Sequence, residues 1–329
     1  ILDIVVKKFI EYSNPNTYIA FLWPSGKGRK KSVESFFSKV VYKKDIKLNP
    51  NGAFNLLVEL YKHMDWVGSK KNGFKGAKQK LIECFPNFRS FTVIVFQAES
   101  IKKVREIKER VRQVYQIGFS SIHITDSKEE AKRISNLIFN ENGIHFLNHA
   151  KPYKYLSLYN KLNTFHEFLK DNNINRNDVV LDGSVVLSQY GLRKNDDIDY
   201  LMLNNAEIKN SEYESHDSQL KYHKRSKFDL IYNPKYYFHF NGFKFVSFNQ
   251  TYFMKKNRGE RKDKTDCRLM GSLIENNHYT KFLLKQKQNL FYFKIKFFRH
   301  LNHYKISLLK QTGLYKPIRF IYRRLKKSL

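Results

Sequence analysis

Short unbroken apolar runs alternate along this chain with stretches in which apolar residues return every three or four positions. Residues 17 to 24 (TYIAFLWP) and 91 to 98 (FTVIVFQA) are β-branched and aromatic runs closed by turn signals, a pattern that predicts buried strands. Helical spacing fills 32 to 40, 52 to 63 and 100 to 115, and in the last of these Val104, Ile107, Val111 and Val114 form one stripe. The alternation runs to about Leu147 and is interrupted at HAKPYKY, where Pro152 places a border near residue 150. Beyond it the pattern predicts a helix at 155 to 170, strands at 178 to 181, 197 to 203, 227 to 232 and 243 to 247, and a helix from 250 to 257 and onward. No internal repeat is visible. The expectation is an α+β protein in three parts: residues 1–150, residues 151–275, and a tail over 276–329.

Charge sharpens this picture at the tail. After Glu275 there is no Asp or Glu and about fourteen Lys or Arg, interleaved with Phe, Tyr and Leu. Residues 280 to 329 are too polar to span a bilayer but suit an anionic membrane surface, where each basic residue adds about 1 kcal/mol. The same mixture also suits stacking on single-stranded nucleic acid, or a plain helical element with one solvated face. Across all 329 residues the formal net charge is +31, which predicts attraction to nucleic acid, nucleotide phosphates or anionic lipid.

Composition excludes some classes. A hydrophobic content of 41%, with 28 Phe and 21 Tyr, is enough for a core in each of two domains and excludes a disordered chain. The two cysteines, Cys84 and Cys267, lie far apart and outside any CxxC, which excludes a disulfide framework or a structural zinc site and fits a reducing cytoplasm. No run of about 18 apolar residues is present to form a spanning helix. The chain opens on Ile rather than Met, so an upstream segment, a signal peptide included, stays an open expectation.

The chemistry concentrates in DGSVVLSQYGLRKNDDIDYL, residues 182 to 201. Gly183 and Ser184 permit close backbone approach, and a strand-to-helix turn there would aim free N–H groups at a phosphate. Asp197 and Asp199 flank Ile198, and because residues i and i+2 of a strand share a face, their carboxylates are expected side by side. Two such anions repel unless a cation lies between them, and hard oxygen ligands favour Mg²⁺ or Mn²⁺, which orients a triphosphate for in-line displacement. Asp196 breaks the alternation and is read as a bystander. A solvated turn, with these acids paired to Arg193 and Lys194, is the alternative.

Gly-Ser, a spacer, then Asp-hydrophobic-Asp resembles the polymerase-β-type nucleotidyltransferase superfamily over about residues 160 to 275. The resemblance implies a mixed sheet with helices and a third metal-binding carboxylate, placed at Asp229 in KFDLIYNP on a later apolar strand. It implies nucleotide contacts from Gly183, Ser184 and Arg193 in YGLR, and from Lys255, Arg258 and Lys262 in FMKKNRGERKDKTDCRLM.

A second signal is VRQVYQIGFSSIHITDSKEEAKRISNLIF, residues 111 to 139. It is similar to the nucleoside-diphosphate kinase stretch in which a strand ends in a phospho-accepting histidine. The resemblance implies a ferredoxin-like domain over residues 15 to 147, with His123 as nucleophile, Arg112 as phosphate clamp, and Thr125, Asp126 and Ser127 as the following turn. It is degenerate: Trp23 and Pro24 replace the expected lysine motif, Ser120 stands for an asparagine, and Ile134 stands where the acidic partner of the histidine belongs. His145, in NENGIHFLN, is read as a packing or capping residue. The Gly- and Lys-containing GSKKNGFKGAKQK, residues 68 to 80, is not a P-loop and is read as a solvated basic loop.

These signals together imply a Mg²⁺-dependent nucleotidyltransferase that takes a nucleoside triphosphate and moves a nucleotidyl or related phosphoryl group to a small or carbohydrate acceptor. The tail GLYKPIRFIYRRLKK looks like those of enzymes of bacterial capsule and lipopolysaccharide synthesis, implying a cytoplasmic protein peripheral on the inner face of the membrane. A nucleic-acid-binding protein, a tRNA- or protein-nucleotidylating enzyme, and an inactive nucleotide-binding module are the alternatives.

Overall fold

A computed structural model describes residues 1–12, 16–26, 30–203, 212–274, 293–294, 297–298, 300–315 and 317–318. Residues Ile1–Ile274 make one compact unit and Glu275–Leu329 another. The fold is α+β, with two sheets in the first unit.

Strands β1 (Thr17–Leu22), β2 (Val40–Ile46), β3 (Phe91–Gln97) and β4 (Ile122–Ile124) form an antiparallel sheet in the order β2-β3-β1-β4. The two central strands are the two apolar runs of the sequence, and they are buried on both faces apart from a half-buried end at Gln97. Helix Ile101–Tyr115 covers one face through Val104, Ile107 and Val111, all fully buried, while Val114 is partly buried at the margin. Each of those buried side chains contributes about 1.5–3 kcal/mol relative to exposure. Ser100 starts this helix by accepting the Lys103 N–H.

The second sheet is mixed. Its strands β5 (Val179–Leu181), β6 (Ile198–Met202), β7 (Tyr213–Ser215), β8 (Tyr237–Phe240) and β9 (Phe243–Val246) run in the order β7-β6-β5-β9-β8. Pairs β5/β9 and β6/β7 are parallel, β5/β6 and β8/β9 antiparallel. Helix Glu141–His149 packs between helix Pro50–Tyr61, whose Asn55 donates to the Leu147 carbonyl at 2.8 Å, and the second sheet, where Phe146 stacks on Phe238 at 4.7 Å between ring centroids and Asn142 donates to the carbonyl of Tyr237 at 3.1 Å. The border expected near 150 therefore falls inside one compact unit. His145 packs as expected, its Nδ1 2.9 Å from the Tyr190 hydroxyl.

Two expected elements differ. The helix of 32 to 40 is only Lys30–Glu34, and the chain then turns into the edge strand β2, whose alternation of polar and apolar residues is masked by Lys43, Lys44 and Asp45. The strand of 227 to 232 is a helix, Lys227–Tyr232. Ser226 Oγ accepts the Asp229 N–H at 3.0 Å and donates to the Asp229 carboxylate at 2.8 Å, a capping arrangement that nucleates a helical turn where an apolar run alone reads as strand.

In the second unit, residues 300–311 are helical, with Leu301, Tyr304 and Leu308 exposed. The expectations for 276–292 and 319–329 lie outside the described residues. No helix among the described residues is long and apolar enough to cross a membrane.

Candidate functional site

Strand β5 ends at Leu181 and the chain turns through Asp182 and Gly183 into helix Ser184–Gln189. Gly183 has φ +63°, and a Cβ built there would lie 2.3 Å from Asp199 Oδ2, so both its conformation and the approach of the carboxylate require glycine. Asp199 closes the turn: its Oδ2 accepts the Ser184 N–H at 3.1 Å, with Ser184 Oγ at 3.4 Å. The Ser184 N–H is thus engaged by the protein's own carboxylate and is not the free phosphate donor the motif suggested.

Asp197 and Asp199 do face the same way, as their spacing predicted. The third acid is not Asp229. It is Glu214 on β7, directly paired in register with Asp199 on β6. Ligand oxygens of Asp197, Asp199 and Glu214 all lie within 4.8 Å of one another. Asp197 is half-buried, Asp199 buried and Glu214 exposed. Neither the Asp197 nor the Glu214 carboxylate has a hydrogen-bond or ion-pair partner among the described residues, in a chain with 61 basic and 30 acidic residues. Three converging carboxylates offer oxygen donors of the kind that hard divalent cations such as Mg²⁺ and Mn²⁺ take. Asp229 stays in its helix cap, and Asp196 is exposed.

Beneath this group lies a buried network that the sequence reading missed. Asp182, fully buried, accepts from His216 Nδ1 at 2.9 Å and His223 Nε2 at 2.8 Å, while His216 Nε2 reaches Asp199 Oδ1 at 3.2 Å. Burial pushes the Asp182 carboxyl up, but the charge of His223 and the hydrogen bonds of both imidazoles outweigh it and hold the acid well below the usual carboxylate range. Burial likewise opposes the charge on His216, and its bonds to Asp182 and Asp199 prevail, raising it to about 10. His216 thereby fixes the orientation of Asp199 from below, and Gln250 in turn holds His223 through its carbonyl at 2.8 Å.

The basic residues expected to hold phosphate are instead engaged with acids. Lys255 is 1% exposed and bridges Asp266 at 2.8 Å and Asp263 at 3.3 Å. Arg258 makes a two-pronged pair with Asp263 at 2.8 and 2.9 Å, and Arg193 does the same with Asp266 at 2.7 and 3.0 Å. Lys262 is exposed beside Glu260. The acids at 263 and 266 were read only as part of a motif string; they lock helix Phe248–Arg258 to helix Arg261–Ile274 and to the loop carrying Arg193.

In the other sheet, His123 and Arg112 do come together, on a cavity of about 910 Å³ also lined by Asp126 and Ser127. The acidic partner missing at Ile134 is supplied by Glu130, whose Oε1 is 3.0 Å from His123 Nε2. The cavity's cations face acids, Lys108 with Asp126 at 2.6 Å, Arg133 with Glu59 at 3.6 Å and Arg112 with Glu109 at 3.4 Å, while Arg112 Nε is buried without a partner among the described residues. Incubation with γ-labelled ATP is therefore expected to leave no acid-labile label on His123; a phosphohistidine at this position would contradict that expectation.

Comparison with protein-family models, with curated proteins and with solved structures gives no match for this chain.

Proposed function

We propose that the chain is a metal-dependent nucleotidyltransferase of polymerase-β type, built on the mixed sheet, which transfers a nucleotidyl group from a nucleoside triphosphate to a small or carbohydrate hydroxyl acceptor. The observation that carries this reading is the convergence of Asp197, Asp199 and Glu214 at the end of β5 and β6, with the Gly183 turn against Asp199. The donor set fits Mg²⁺ or Mn²⁺, which would supply charge stabilisation for the triphosphate oxygens. Asp199, oriented by Ser184 and His216, and Asp197 would hold the ion. One oxygen of Glu214 would complete the ligand set, while the other, exposed and without a partner among the described residues, takes the proton of the acceptor hydroxyl as the hydroxyl oxygen bonds to the α-phosphorus and pyrophosphate leaves. The strand order β2-β3-β1-β4 supports a ferredoxin-like amino-terminal domain beside it.

Each of the four nucleoside triphosphates, incubated with the full chain and Mg²⁺ or Mn²⁺, tests the reading. Metal-dependent pyrophosphate release with at least one of them, with a carbohydrate or water as acceptor, is the expected result. Neither binding nor release with any triphosphate would defeat it.

A further inference from the structure

The large cavity of the antiparallel sheet has a chemistry unlike the rest of the molecule. In a chain of net charge +31, four basic and four acidic side chains line it. Its cations already face acids or, for Lys80, the Phe119 carbonyl at 2.7 Å. A polyphosphate placed there would meet four carboxylates, an unfavourable encounter between like charges, against a single unpartnered guanidinium nitrogen, Arg112 Nε. Asp126, Glu129 and Glu130 instead offer hydrogen-bond acceptors, and His123, whose Nε2 is engaged by Glu130, has no hydrogen-bond partner on Nδ1 among the described residues.

Its aromatic walls complete the pattern. Tyr61 and Trp66 lie 5.1 Å apart between ring centroids, and Phe119 carries the Arg112 guanidinium 4.6 Å from its centroid. Trp66 is 45% and Phe119 74% exposed, so even with Tyr61 against the one and Arg112 over one face of the other, much of both rings borders the recess. The volume of about 910 Å³ lies within the range of small-molecule sites, ~300–1,000 Å³. A pyranose matches both features, because its C–H face lies against the negative face of an aromatic ring while its hydroxyls donate to carboxylates and imidazole.

We propose that this cavity binds a saccharide carrying at most one negative charge, with Trp66 and Phe119 as ring platforms and the acids around His123 as hydroxyl acceptors. Its role as the acceptor subsite rests on the nucleotidyltransferase reading; saccharide binding itself does not.

The emission of Trp66, one of only two tryptophans, reports on the cavity, and Trp66→Phe identifies the contribution of the buried Trp23. The full chain is titrated with methyl glycosides of a hexose, an N-acetylhexosamine and a hexuronic acid, and separately with ATP in the absence of divalent metal. At least one glycoside is expected to shift the Trp66 emission saturably in the millimolar range. Phe119→Ala, at an exposed position that leaves the fold intact, is expected to weaken that binding about five-fold. Asp199→Asn is expected to leave it unchanged. No saturable shift with any glycoside, an unchanged affinity in Phe119→Ala, or displacement of the glycoside by ATP would overturn the proposal. Glycoside binding that persists while the chain releases no pyrophosphate would count against nucleotide transfer alone.

Discussion

Asp199→Asn is expected to lower metal-dependent nucleotide transfer by about a thousand-fold, since removing one anionic ligand forfeits several kcal/mol of transition-state stabilisation and each 1.36 kcal/mol is about a factor of ten. An amide oxygen can still accept the Ser184 N–H that Asp199 accepts at 3.1 Å, but its NH2 then faces His216 Nε2, so some stability is lost while the fold is expected to remain. Glu214→Gln is expected to reduce turnover as well, through loss of the proton acceptor. Asp229→Asn is the informative control: Ser226 caps helix Lys227–Tyr232, the Asp229 carboxylate only accepts the Ser226 hydroxyl, and an amide oxygen can replace it, so the variant should stay close to wild type in both stability and turnover. Steady-state pyrophosphate release with circular dichroism on the same preparations separates these outcomes. Equal losses in Asp199→Asn and Asp229→Asn would mean that the metal site has been drawn around the wrong acids.

Lys255→Met is expected to cost about 3–5 kcal/mol of folding stability, the usual consequence of removing one partner from a buried ion pair. Its ammonium lies between Asp263 and Asp266, both buried, and burial alone would drive those carboxyls up. The hydrogen bonds and charges of Arg258, Lys255 and Arg193 prevail and hold both below their ordinary value of 3.8. A depressed carboxyl stabilises the fold fully above its unfolded value and loses that contribution as pH falls through the folded one. Acid unfolding of the wild type should therefore sharpen below pH 3.8, and the variant should unfold at higher pH. Urea melts between neutral and acid pH measure both effects; a Lys255→Met midpoint equal to that of wild type would show the cluster to be irrelevant to stability.

The elements most legible in the sequence were those whose pattern is set by burial alone. The runs at 17 to 24 and 91 to 98 are central strands and the stripe of Val104, Ile107 and Val111 faces the core, because an element buried against one neighbour must carry its own apolar period. Edge strand β2 was hidden by its solvent-facing lysines, and β7 by its length of three residues. The six-residue apolar run at 227 to 232 fits strand and helix equally well, and the Ser226–Asp229 cap decides between them.

The site was half legible for the same reason. Asp197 and Asp199 share a strand, so their spacing is enough to place them together. Glu214 reaches them only through the β6/β7 pairing, which lies in tertiary structure; alternation in SEYESH was the one available hint. His216 and His223 approach Asp182 from two later segments and carry no local signature. The basic residues at 193, 255 and 258 fit phosphate contacts by sequence, and the anions they face in the fold are Asp263 and Asp266 of the protein itself.

Asp197, Asp199 and Glu214 are proposed to bind one divalent cation together. Titration of the full chain with Mn²⁺, followed by loss of the free-ion electron paramagnetic resonance signal, addresses this directly. The account predicts saturable binding that Mg²⁺ displaces, that Asp197→Asn, Asp199→Asn and Glu214→Gln each weaken, and that Asp229→Asn leaves alone. Absence of saturable Mn²⁺ binding, or binding indifferent to all three of those substitutions, would contradict it.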